Sequence, residues 1–296
     1  MNAGDARPKG DPLSAASCQR VRSYLLERQS PMGGFCFYRT AYLDEPNLSD
    51  TWHAVAALRL LGEEPPNRDA IADFVCMQPP GKQPYALYYR TFTLDALGMA
   101  DPDRAAMIEN IHALQLDTEG LFTHADLSGK LERLLFILRL KVHCGTGFSA
   151  QQVVSAMLAL EHPEGGFGTP PNIIETNLAA AILALCGGKA SADTGRFVTS
   201  LGGPGYAFRF TENSLAFNLE TICAGIECCR LLNLQIAYPA DAAAFILACQ
   251  TGNGGFARAP DSLPGIELTH LALQGLATLN GNVTPVSRTC SGALHV

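Results

Sequence analysis

Residues 163–188 read PEGGFGTPPNIIETNLAAAILALCGG. A glycine pair ends on an aromatic (Gly165, Gly166, Phe167), and a Pro- and Asn-rich connection follows. Glu175 and Thr176 then open an apolar run that stops at Gly187 and Gly188. A carboxylate in the first turn suits the positive end of a helix dipole, and terminal glycines supply a left-handed stop, so the run reads as a helix. The unit recurs at 32–62, with Gly33, Gly34, Phe35, Asp50 and Thr51, and at 253–281, with Gly254, Gly255, Phe256 and Thr269. A looser copy carries Gly205, Tyr206, Glu220 and Thr221, and two degenerate copies surround Tyr85 and Phe122. With Phe35, Tyr85, Phe122, Phe167, Tyr206 and Phe256 as turn aromatics, the units lie 37 to 50 residues apart. That is the range of stacked repeats, whose units cannot bury an apolar face alone.

Composition agrees with a large globular core: 296 residues, 47% hydrophobic and 17% charged. A net charge of -7 without a basic cluster argues against a nucleic-acid partner. No apolar run is long enough to span a bilayer, so an integral membrane protein is not expected. The polar start, MNAGDARPKGDP, lacks the apolar stretch of an export signal, which makes a cytoplasmic location the expectation. Of the ten cysteines, Cys76, Cys186, Cys223, Cys228, Cys229 and Cys249 fall inside apolar helical patterns and read as small buried hydrophobes rather than disulfides or zinc-finger ligands.

Another helix precedes each turn, so each repeat is a first helix, a turn and a second helix. One helix runs from Ser14 to Gln29; Asp101 and Pro102 read as cap and first residue of one reaching Leu116; Ser149 caps another; Pro239 and Asp241 open one ending at Gln250. These first helices carry charge on one side (Arg20, Arg22, Glu27, Arg28), whereas Asn177 to Cys186 and Leu271 to Leu279 carry none. An all-apolar helix is buried on most sides. The chain therefore reads as all-α and two-layered, with the second helices inside.

A G-G-F turn, then D/E-T, then an Ala/Leu helix ending in L-L-G, repeated around six times, resembles the protein prenyltransferase β-subunit and squalene-cyclase repeat superfamily. The resemblance implies an α/α toroid over residues 14–281, with a disordered tail at 1–13 and a C-terminal tail at 282–296. It implies a central funnel that binds isoprenoids. Prenyl transfer from an isoprenoid diphosphate is the activity it favours. A single-domain cyclase that protonates an alkene or epoxide, and a non-catalytic toroid that binds a lipid or peptide, are the alternatives. In protein prenyltransferases zinc is held by a D-x-C opening the fifth inner helix and a His opening the sixth. Asn218, Glu220 and Thr269 occupy those places here, followed by His270, which is a poor zinc set. If zinc or magnesium binds, His270, Glu220 and His53 are the candidate ligands. The D-x-D-D string of the cyclases is absent. Arg209 matches the diphosphate-binding Arg that follows the fifth turn, but Glu212 stands where the family has a Lys. The same family suggests a helical α-type partner subunit or a homodimer.

Polar residues opening the inner helices form the candidate site. Asp50, His53, Glu175, Glu220 and His270 are catalytic candidates, and Arg90, Arg209, Trp52, Tyr89 and Phe208 are candidates for binding substrate. His53 and His270 would meet where the first and last repeats close the ring. Each has a plainer reading: a carboxylate at a helix N-terminus is a cap, and an aromatic on an apolar helix is core.

Overall fold

The computed structural model describes residues 13–40, 42–79, 81–123 and 126–281. The two tails read from the sequence lie outside these residues, apart from Leu13, which is buried in the core. Helices alternate between two layers. The outer layer holds α1 (Ala15–Leu26), α3 (Arg68–Met77), α5 (Arg104–Ala113), α7 (Ala150–Leu160), α9 (Ala192–Ser200) and α11 (Pro239–Ala248). The inner layer holds α2 (Leu48–Leu60), α4 (Pro84–Leu97), α6 (Leu127–Cys144), α8 (Ile173–Leu185), α10 (Leu219–Leu231) and α12 (Ile266–Leu279). Each inner helix packs on the next, and α12 packs back on α2, so the inner layer is a closed ring with an outer helix behind each member. The chain is an all-α toroid, as its repeats imply.

The repeat motif has a physical role at each position. Thr51, Thr176 and Thr269 are fully buried, and their hydroxyls accept the backbone N–H of Phe35, Phe167 and Phe256 at 3.0, 3.0 and 2.9 Å. One side chain thus ties the turn to the inner helix and satisfies a buried donor. The first glycine of each pair has a positive φ (102° at Gly33, 93° at Gly165, 97° at Gly254) and lies on the backbone of the next outer helix, at Ala70, Asp193 and Arg20. The last of these contacts closes the ring. Gln250 reinforces it by donating to the Ser17 carbonyl at 3.3 Å.

The sequence reading needs four corrections. Tyr85 lies in the first turn of α4 and Phe122 in a short 3-10 turn; both are exposed, so repeats two and three lack the buried turn aromatic. In the fifth repeat the buried ring is Phe208, not Tyr206: Arg209 donates its N–H to the Leu201 carbonyl as Ala257 does to Cys249. The helix expected from Asp101 to Leu116 is shorter, because Asp101 is engaged by Arg90 and Asp103 takes the cap position. Finally, inner helix α6 is not apolar. Its buried Lys141 donates to the Ile111 and His112 carbonyls at the end of α5, and its Arg139 donates to the Tyr88 hydroxyl.

Candidate functional site

The inner helices begin at one end of the ring, where α2, α8, α10 and α12 each carry a carboxylate in the first turn. The field at Glu267 on α12 includes Glu132 on α6, Glu220 on α10 and Asp50 on α2. Burial, followed by these like charges, pushes the Glu267 carboxyl up, although it still touches solvent; it belongs to the wall of a concave mouth. Burial also raises Asp50 and Glu175, but the Asn47 and Asn172 side chains hydrogen-bond them and temper the rise. Those Asn residues cap their helices by accepting the N–H of Asp50 and Glu175, so both acids close capping arrangements. Glu220 forms a bidentate pair with Arg258 at 2.7 and 2.8 Å.

Below the mouth, the rings of four inner helices pack together. Trp52 on α2 lies 6.2 Å from Tyr88 and 6.3 Å from His270, and Phe136 on α6 lies 4.6 Å from Tyr88 and 5.8 Å from Tyr89. His53 and His270 meet across the seam of the ring, Nδ1 to Nδ1 at 2.9 Å. One imidazole must donate and the other accept, and burial favours the neutral form of both. Burial pushes His53 down to about 4, and burial together with His53 holds His270 well below the usual histidine range. The partner of His53 is therefore His270 rather than Asp50, and the His53 Nε2 is buried without a hydrogen bond. Tyr89 lies 5.8 Å from His53 and is pushed up to about 12, mainly by burial.

A cavity of about 400 Å³ opens between the first turns of α4 and α6, with Tyr85, Tyr89, Phe136, Glu132 and Arg133 in its wall. The volume falls within the range of small-ligand sites. Burial, then Asp126, raises the Glu132 carboxyl, although it still reaches solvent, and it makes no hydrogen bond or ion pair among the described residues. Glu132 lies in α6 outside any repeat motif; the signal that marks it is the one carboxylate of that helix, one turn before Phe136. A larger groove of about 930 Å³ lies at the other end, between α8, α9 and α10, lined mostly by small side chains away from these rings and acids.

Three sequence candidates leave the site. Arg90 is 1% exposed and faces the outer layer, where it holds Asp101, Asp103 and the Cys76 and Gln78 carbonyls. Phe208 is core, stacked on Gly225 of α10. Arg209 donates to the Ser200 carbonyl at the end of outer helix α9, at 3.2 Å. Trp52, Tyr89, His53 and His270 are brought together, and Asp50 and Glu220 face them from the mouth. Glu175 hydrogen-bonds Asn172 and lies in the field of Asp126, which also acts on Glu132.

A zinc centre of the prenyltransferase kind does not fit these residues. Asn218 Oδ1 takes the N–H and O–H of Thr221, Glu220 holds Arg258, and Thr269 holds Phe256. No three His, Cys, Asp or Glu side chains converge as a metal cluster among the described residues.

A closed double ring of helices around an aromatic pit with an acidic mouth defines the class: an α/α toroid. The prenyltransferase alpha-alpha toroid domain model matches residues 9–82 and 76–291, and the chain belongs to that family. No curated protein matches the chain. No helix among the described residues is long and apolar enough to cross a membrane.

Proposed function

We propose that this chain is an isoprenoid-processing enzyme that takes an uncharged isoprenoid and begins its chemistry by proton transfer from Glu132. One observation carries the reading: Glu132, which makes no hydrogen bond or ion pair among the described residues, stands partly open to solvent in the wall of a cavity lined by Tyr85, Tyr89 and Phe136, and burial followed by Asp126 pushes its carboxyl up. A neutral carboxylic acid beside an alkene adds its proton to one carbon, and its O–H electron pair stays on Glu132. The cation left on the neighbouring carbon lies against aromatic faces, which attract positive charge. The carboxylates of Glu267, Glu220 and Asp50 add a negative field. The same field opposes a diphosphate at this mouth, and Arg90 is committed to Asp101 and Asp103. The positive ends of α2 and α8 are likewise already offset by their own Asn caps and carboxylates.

Prenyl transfer from a diphosphate is the second reading, and the observation in its favour is Arg133 in the cavity wall. The test is to incubate the protein separately with prenyl alcohols or epoxides and with prenyl diphosphates, and to resolve products by mass spectrometry. The expected outcome is conversion of uncharged substrates that Glu132→Gln abolishes, with activity declining as pH rises through the raised Glu132 pKa. Turnover of diphosphates alone, with pyrophosphate released and Glu132→Gln unaffected, would refute it.

A further inference from the structure

Three neighbours cover inner helix α12: α2, α10 and α11. The side left over carries Glu267, Leu271, Gln274 and Thr278 at helical spacing and fronts the axis of the ring. Gln274 is exposed in mid-helix, so the axis is open about two turns below the acidic mouth. Ala56 lies one turn below Trp52 as Gln274 lies one turn below His270, and its methyl group leaves that depth unfilled. Opposite α12 in the ring stands α6, covered by α4, α5 and α8, with Lys141 turned outward to the end of α5. Its axial side carries Glu132, Phe136, Arg139 and His143.

Arg139 is seven residues beyond Glu132, which places it about 10 Å deeper by the rise of a helix. It is half-buried. Its Nη1 donates to the Tyr88 hydroxyl at 3.2 Å, at the edge of the aromatic pit, and its remaining N–H groups meet no acceptor among the described residues. Glu227, seven residues beyond Glu220 on α10, gives both carboxylate oxygens to Arg230 and so leaves the Arg139 charge unanswered. A guanidinium with free donors and a carboxamide at the same depth make a donor set for one ligand oxygen. A diphosphate would have to pass Glu267, Glu220 and Asp50 to reach it, whereas a hydroxyl group meets no such barrier.

We propose that Arg139, helped by Gln274, holds the oxygen of a linear isoprenoid alcohol, so that the chain lies along the axis past Phe136 with its far alkene at Glu132. The direction of the chain rests on the proton-donor role given to Glu132; the oxygen clamp needs no turnover. With the hydroxyl fixed at one depth and the acid about two turns above it, the pair sets both the register and the length of the chain. A hydrocarbon without the oxygen has nothing to hold it in that register.

Trp52 is the one tryptophan of the chain and sits in the pit, so its fluorescence reports occupancy. Titrations of the full chain with farnesol, with the hydrocarbon farnesene and with farnesyl diphosphate test the clamp. Farnesol is expected to bind at least about tenfold more tightly than farnesene, the scale of a hydrogen bond to a charged group, and Arg139→Met should erase that preference while farnesene binds as before. Gln274→Leu should reduce the preference by a smaller factor. Tyr88→Phe deletes the internal bond of Arg139 but keeps the cation, so the preference for farnesol should survive. Equal affinity of the parent protein for farnesol and farnesene overturns the proposal, whether or not the variants fold. Equal loss of both ligands in Arg139→Met, or loss of the preference in Tyr88→Phe, makes Arg139 a support for the ring packing and also overturns it. Tighter binding of farnesyl diphosphate than of farnesol, dependent on Arg139, assigns the site to phosphate instead. A preference for farnesol that persists in a protein whose turnover ignores Glu132→Gln would strike the proton-donor role and leave the clamp standing.

Discussion

Replacing Arg90 separates a structural arginine from a substrate clamp. Its guanidinium donates five hydrogen bonds: two to Asp101, one to Asp103, and one each to the Cys76 and Gln78 carbonyls. Arg90→Met keeps much of the buried stem and removes every one of them. The Asp101 side chain is 12% exposed and is left without its cation, whereas that of Asp103, at 45%, recovers water and contributes little. Breaking a buried pair from one side costs about 3–5 kcal/mol. For a chain of this size that lowers the melting temperature by on the order of 10 °C. Burial pushes the Asp101 carboxyl up, but hydrogen bonds from Arg90 and the Asp103 N–H more than offset this and hold it below the usual range. A depressed carboxyl contributes stability above its unfolded pKa of about 3.9 and loses it as pH falls through the folded value. The gap between parent and variant should therefore be widest at neutral pH and close below about pH 4. Thermal melts from pH 7 to 3 provide the assay, with isoprenoid binding measured on the folded fraction. A variant that melts with the parent but loses affinity for prenyl diphosphates would refute the structural role.

Thr269→Val deletes a hydroxyl that accepts from the Phe256 N–H and donates to the Gly265 carbonyl, leaving a buried donor unmet. It should cost about 1–3 kcal/mol in urea unfolding, whereas Thr278→Val, whose hydroxyl bond is exposed, should cost almost nothing. Gly254→Ala places a Cβ at φ 97° against the Arg20 carbonyl at the closing seam, and should lower the melting temperature more than Gly252→Ala, which has open space. His53 and His270 are neutral in the fold and protonate readily once unfolded. Stability should therefore fall as pH drops from about 6.5 toward 4. In His53→Asn combined with His270→Asn that slope should be shallower, and an unchanged slope would show that the pair is not buried and neutral. The same variants, assayed for turnover at equal stability, report whether the dyad serves only packing.

Much of the architecture was legible in the chain because its constraints are local and recur. A glycine that must adopt positive φ beside another backbone, a threonine that must meet a turn N–H, and a helix without charge each carry their reason within one repeat. Where the local signal decays, around Tyr85 and Phe122, the register of the turn is not legible, and Gly205-Tyr206 mimics the motif two residues before the buried ring of Phe208. The site depended on contacts between helices far apart in sequence. His53 and His270 were paired correctly across the seam, since a closed ring must join its ends. That Arg90 turns outward to Asp101, that Arg209 reaches the Ser200 carbonyl, and that Glu132 faces the cavity with no partner could not be read from spacing. A helical periodicity states which face of a helix is apolar. Which neighbour a polar side chain meets on the other face is decided only once the ring has closed and every buried donor and acceptor has found, or failed to find, its partner.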